Sequence, residues 1–313
     1  MTKSDTKPEV LGVVPVVPIP FLEDEQIDEA GLRRLIEFAI RCKVRAVCLP
    51  MYGSEFYKLS DDERTRVVSI AVSQARNRII VIGNCAHGSA QIARRFARAN
   101  VAAGAHMISI PIPRMFPVAE TDLHTFLAPV LNEVEVPVLV QDFNPGGPTA
   151  NAEFVKLLAD DCPNFRYIKL EEPFMAAKVR DIHDQTAGRV GVLEGWGALY
   201  LMELIPVGVV GSMPGLAIAD ILARVFELRQ TGDPEAFTLY EKVLPQIVYA
   251  LQNFEFFIFY EKLLLKERGV LDNTLLRSCG YTPDGDALRY AQEINQRIFR
   301  VLEEHGFDPV FRA

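Results

Sequence analysis

The chain has 313 residues, 49% of them hydrophobic, 24% charged and 9% aromatic, and a formal net charge of −8. That length exceeds a typical single domain but suits an α/β barrel with an appendage, and the composition is that of a folded globular protein, which excludes disorder. The acidic balance repels polyanions, and no Lys/Arg cluster stands out, which excludes nucleic acid as a partner.

Residues 1–9 read as a loose polar tail without the apolar stretch of a signal peptide. Leu11–Phe21 is β-branched and broken by prolines, which predicts a first strand running into a loop. Asp28 can cap a helix that places Leu32, Leu35, Ile36, Phe38 and Ala39 at helical spacing, and Ala46–Pro50 then returns to continuous apolar character. Ser60 and Glu63 form a capping box before a helix through about Ala75. Strands follow at Ile79–Gly83, Met107–Pro111, Val136–Gln141, Asn164–Glu171, Val190–Leu193 and Val209–Ser212. Helices intervene at Ser89–Ala103, Glu120–Asn132, Asn151–Ala159, Ala176–Gln185 and Ala198–Leu204, with the last at Ile218–Leu228. Apolar runs alternating with amphipathic helices mean a parallel sheet covered by helices, and eight such units make a (β/α)8 TIM barrel over residues 10–230. A doubly wound sheet would carry a glycine-rich phosphate motif after its first strand, and none occurs.

From Asp233 onward only helices are predicted, at Pro234–Ala250, Phe254–Arg268 and Pro283–Glu304, so residues 231–313 form a C-terminal helical domain. The aromatic run Phe254–Tyr260 reads as packing or subunit contact. The five cysteines are scattered and odd in number, which suggests neither a disulfide framework nor a zinc knuckle and fits a reducing cytoplasm. No apolar run is long enough to cross a bilayer.

Barrels of this kind build their sites at the C-terminal ends of the strands. One lysine ends a strand: Lys169, with Glu171 two residues on and so on the same face. An amine stripped of water in an apolar scaffold populates the neutral form that attacks a ketone. Gly53 and Ser54 can offer N–H groups and a hydroxyl to a carboxylate, while Gly195 and Gly215 permit close approach of a ligand. Tyr52, Gln141, Glu194, Trp196 and Ser212 complete the candidate binding set. His87 stands alone as a loop residue, and no metal-ligand spacing appears, so neither metal nor cofactor is expected.

From about residue 10 to 270 the chain resembles the dihydrodipicolinate synthase/N-acetylneuraminate lyase superfamily of class I aldolases. The motifs are Tyr167-Ile168-Lys169, the run from Gly53-Ser54-Glu55 through Leu59-Ser60 to Glu63-Arg64, Gly104-Ala105, and Lys262 with Arg268-Gly269. The resemblance implies a barrel with a C-terminal helical domain, a homotetramer, and an imine between Lys169 and a 2-keto acid. The synthase's Gly-Thr-Thr-Gly-Glu reads Met51-Tyr52-Gly53-Ser54-Glu55 here, and Asp142 replaces its strand-5 tyrosine, which speaks against synthase-type condensation. Val140-Gln141-Asp142, Ile168–Glu171 and Glu194-Gly195-Trp196 are similar to the 2-keto-3-deoxy sugar acid dehydratase branch. Dehydration of such an acid is the expected reaction, with Glu171 or Asp142 as base. Retro-aldol cleavage releasing pyruvate and a non-catalytic keto-acid-binding barrel are the alternatives.

Overall fold

The computed structural model describes residues 8–114, 118–144 and 147–311. Most of the polar tail, residues 1–7, lies outside the described residues, as do Pro145 and Gly146 of the turn after the fifth strand. Glu9, read as part of that tail, is tied down: its N–H donates to the Tyr167 hydroxyl at 3.1 Å and its carboxylate meets Arg45 at 3.0 Å.

Eight parallel strands form the barrel: β1 Gly12–Val13, β2 Ala46–Leu49, β3 Ile80–Asn84, β4 Met107–Pro111, β5 Val138–Asp142, β6 Phe165–Leu170, β7 Gly191–Glu194 and β8 Gly211–Ser212. They are ordered β1-β8-β7-β6-β5-β4-β3-β2, and a parallel bridge between Val16 and Cys48 brings the first and last together. The chain is a (β/α)8 TIM barrel followed by helices. Strand β1 is much shorter than the sequence suggests. Gly12 sits at φ +68°, and prolines at 15, 18 and 20 remove ladder donors, so beyond Val13 only Val14 and Val16 donate to the β8 side, each at 2.8 Å.

The barrel helices are α1 Glu29–Arg41, α2 Asp61–Ala75, α3 Ala90–Ala102, α4 Glu120–Leu131, α5 Ala152–Asp161, α6 Ala176–Gln185, α7 Leu201–Leu204 and α8 Ala219–Thr231. The capping box at Ser60 and Glu63 is present, with both reciprocal bonds formed. Helix α7 starts three residues later than expected because Gly197 and Ala198 both adopt left-handed backbone (φ +62° and +71°), which a helix cannot include. The C-terminal helices are α9 Glu235–Ala250, α10 Phe254–Glu267 and α11 Gly285–Glu304. No helix among the described residues is long and apolar enough to cross a membrane.

Side chains on each strand alternate between two cores. Leu139, Tyr167, Leu193 and Met213 fill the barrel interior with Val14, Ile82 and Met107, whereas Val140, Ile168, Leu170 and Val192 face the helices. The inward phase of β5 and β6 therefore continues to Gln141 on one strand and to Lys169 on the other.

Helix α10 is anchored to the barrel by two buried acidic contacts. Gly215 leaves room not for a ligand but for Glu261: a Cβ there would lie 2.1 Å from the Glu261 Cδ. The Glu261 carboxylate accepts from the Ala217 N–H at 2.8 Å, and burial pushes the carboxyl up to about 7. A carboxyl raised on folding is neutral in both states at low pH and loses stability as pH climbs from its ordinary value to the raised one. Between pH 5 and 8 this group should remove roughly 2 to 3 kcal/mol of folding stability. Glu261→Gln should be correspondingly less sensitive over that interval in denaturant titrations; equal pH dependence in both proteins would rule this account out.

The second contact is an ion-pair cluster. Glu55 follows β2 in left-handed backbone and is fully buried; its carboxylate takes Lys262 of α10 at 2.6 Å and Lys58 at 3.0 Å. Lys262 also donates to the Leu275 carbonyl at 2.7 Å, yet burial still pulls it down to about 8. Removing one member of a buried pair strands the other charge. Lys262→Met should cost about 3 kcal/mol of unfolding free energy, the low end of the usual range because Lys58 remains. Adding Glu55→Gln should recover much of it, and a single variant within 1 kcal/mol of wild type would contradict the assignment.

Candidate active site

The inward phase of β5 and β6 brings Gln141, Lys169 and Glu171 to one end of the barrel, at the floor of a cavity of about 210 Å³. Lys169 is 6% exposed and its Nζ lies 3.0 Å from Glu171 Oε1; the Gln141 amide donates to the same oxygen at 2.6 Å. Burial raises the Glu171 carboxyl above its ordinary value, with Lys169 and the Gln141 amide opposing. A carboxyl so raised can hold a proton, and Lys169 Nζ stands within contact distance to exchange one with it. Gly195, on the loop after β7, makes the pair possible. A Cβ there would stand 2.4 Å from Glu171 Cγ and 2.7 Å from Lys169 Cε, so this glycine, which also lines the cavity, leaves the room in which the two reactive side chains meet.

Several expected site residues face elsewhere. Asp142, one residue past Gln141, points away from the cavity. It is fully buried and accepts from Nε and Nη2 of Arg114, at 2.9 and 2.7 Å, and from the Ala150 N–H at 2.6 Å. Asp142 is therefore not placed to act as base. Glu194 and Ser212, expected to bind substrate, do not line the cavity. The Glu194 carboxylate accepts from the Trp196 and Ala198 N–H groups, at 2.8 and 3.0 Å, and from the Ser212 hydroxyl at 2.5 Å, so the two residues shape the turn that carries Trp196. Burial raises the Glu194 carboxyl and these three donors oppose it.

Ser54 is likewise consumed internally. Its hydroxyl donates to the Val17 carbonyl at 2.6 Å and accepts the Met51 N–H at 3.0 Å, and its own N–H donates to the Met51 carbonyl at 3.0 Å. Tyr52 and Gly53 line the cavity, and their N–H groups, at the open start of a short 3-10 helix, have no acceptor among the described residues. Burial, with the Glu171 charge second, raises the Tyr52 phenol. His87 stands apart and accepts the Ser89 N–H at 2.8 Å.

The upper walls are built from residues outside the set expected from the sequence. Phe143, Asn253, Phe254 and Phe257 line the cavity with Tyr52 and Trp196. The run Phe254–Tyr260, read as packing, splits by helical phase. Phe256 and Tyr260 are buried against Tyr249, whereas Phe254 and Phe257 lie three apart on the cavity side. Asn253 caps α10 by accepting the Phe256 N–H at 3.0 Å, which sets that phase. Among the described residues no group of three or more His, Cys, Asp or Glu side chains could hold a metal ion.

Residues 9–296 match the dihydrodipicolinate synthetase family. The chain belongs to that family. It is 29% identical over 276 residues to an L-2-keto-3-deoxyarabonate dehydratase of Azospirillum brasilense, covering 87% of this chain and 88% of that one. Over 159 residues, 50% of this chain and 53% of the other, it is 28% identical to a protein of Escherichia coli whose name reads "Putative 2-dehydro-3-deoxy-D-gluconate aldolase YagE". The crystal structure of a dihydrodipicolinate synthase from Rhodopseudomonas palustris shares the fold with a TM-score of 0.86 at 24% identity, over 93% of this chain and 99% of that one. As a dihydrodipicolinate synthetase family member the chain is an enzyme, a lyase.

Proposed function

We propose that this dihydrodipicolinate synthetase family protein is a Schiff-base lyase that dehydrates a 2-keto-3-deoxy acid, with sugar acids as the first class to assay. The observation that carries the reading is the Lys169 amine held 3.0 Å from a carboxyl raised by burial, at the floor of a cavity. Glu171 takes a proton from the Lys169 ammonium, and the neutral amine adds to C2 of the keto acid; the hydroxyl so formed at C2 takes that proton back from Glu171 and leaves as water, giving a protonated imine. Glu171, deprotonated again, removes a proton from C3, and the electron pair of that C–H bond moves into the iminium to give an enamine. The enamine expels the C4 hydroxyl, which takes the proton from Glu171 and departs as water. Addition of water at C2 then frees Lys169 and the unsaturated keto acid. One carboxylate serves both proton transfers because Asp142 is committed to Arg114. The Tyr52 and Gly53 amides receive the C1 carboxylate.

Retro-aldol cleavage shares the imine and instead needs Glu171 to take the proton of the C4 hydroxyl; the aldolase name of the E. coli relative supports keeping it in view. Products separate the two reactions: a dehydrated keto acid, or pyruvate plus an aldehyde. Borohydride reduction in the presence of pyruvate, followed by mass spectrometry of the peptide containing Lys169, tests the shared step. Absence of label at Lys169 with every 2-keto acid assayed would overturn both. A homotetramer is the assembly that the family resemblance supports, and sedimentation analysis measures it.

A further inference from the structure

The cavity is chemically lopsided. Its floor carries Gln141, Lys169 and Glu171, and its upper part is an arc of rings drawn from four places in the chain. Tyr52 follows β2, Phe143 follows β5, Trp196 follows β7, and Phe254 opens α10. The rings touch in sequence: Tyr52 to Phe143 at 5.7 Å between centroids, Phe143 to Trp196 at 5.9 Å, Phe143 to Phe254 at 6.2 Å, and Phe254 back to Tyr52 at 6.3 Å.

Among the described lining residues Lys169 is the one cation, and it is occupied at C2 once the imine forms. A second carboxylate or a phosphate on the substrate would enter with no counter-ion, which a desolvated charge does not tolerate. A chain of hydroxyls fares little better. Each hydroxyl leaving water needs a partner, and across its four rings the arc offers just the Tyr52 hydroxyl and the Trp196 N–H, fewer than such a chain requires. Of the two amides at the rim, Gln252 and Asn253, the latter already spends its oxygen capping α10. A flat apolar group loses nothing by leaving water and packs well on such rings.

We propose that the site selects a 2-keto acid whose tail beyond C4 is uncharged and apolar-faced, an aryl group being preferred to a polyhydroxylated chain. This rests on the Schiff-base reading, keeps its chemistry at C2 to C4, and departs from the sugar-acid class in what C4 carries.

The test compares 4-hydroxy-2-oxobutanoates that differ only at C4: phenyl, 1,2-dihydroxyethyl, and the phosphate ester of the latter. Consumption is followed by liquid chromatography with mass detection. The phenyl compound should have a kcat/KM at least 10-fold above the dihydroxyethyl compound, chiefly through KM, with the phosphate ester slowest. Phe143→Ala and Phe254→Ala should shrink that ratio at least 5-fold while borohydride trapping of pyruvate persists; Phe143→Leu serves if the alanine variant does not fold. Equal or better use of the dihydroxyethyl or phosphorylated compound, in an enzyme that traps pyruvate normally, would overturn the proposal alone. Failure to trap any keto acid would overturn the Schiff-base reading, and the proposal with it.

Discussion

Lys169→Ala is expected to abolish borohydride-dependent labelling by pyruvate and to lower kcat by on the order of 10⁴-fold or more, the scale on which loss of a covalent nucleophile acts. Lys169→Arg should be as inactive. It keeps a positive charge next to Glu171, but a guanidinium does not deprotonate and cannot form the imine. The pair of variants separates two roles. If Lys169 served only as a counter-ion to the buried Glu171, arginine would restore function, and restored turnover would end the nucleophile assignment. The alanine variant removes the contact at 3.0 Å that opposes the raising of Glu171, so the carboxyl should hold its proton more firmly there.

The second large effect belongs to Glu171. Glu171→Gln keeps the shape and lets the side chain stay beside Gln141, but removes the group that shuttles the C3 proton. Turnover should drop by about 10² to 10⁴-fold, while the imine with pyruvate still forms and is still trapped, if slowly. The pH profile carries the finer test. A base must be ionised to act, and burial has raised this carboxyl in the free enzyme, so the acid limb of kcat/KM in the wild type should lie above the ordinary carboxylate range. The glutamine variant should lack that limb. An unchanged limb in Glu171→Gln would assign it to another group.

The barrel is legible in the sequence because parallel strands are buried on both faces and so appear as unbroken apolar runs, such as Ile80–Gly83 and Val138–Val140, between amphipathic helices. The Lys169 and Glu171 pair is legible for a related reason: an interval of two residues on a strand needs no knowledge of which face is inward. Gln141 against Asp142 is a different problem. Two adjacent polar residues leave the phase undecided, and a shift of one residue exchanges cavity for helix-facing layer. Glu194 and Ser212 fall to the same ambiguity, which the burial of Leu193 and Met213 inside the barrel resolves. Gly215 reads as an opening for a ligand because the sequence does not reveal that Glu261 fills it. The walls from Asn253 to Phe257 show in the sequence as part of an aromatic run with no sign of a site, since their place above Lys169 is set by the docking of α10, some eighty residues downstream.

That docking gives the molecule two separable inheritances. The reaction itself is written into β6, deep in the ring, where almost any alteration would disturb the pairing of amine and carboxyl. Part of the wall that meets the far end of the substrate is borrowed from the start of α10, held down by Lys262 on Glu55. A lineage could therefore exchange the few side chains around Phe254 and acquire a new diet while its chemistry stayed untouched.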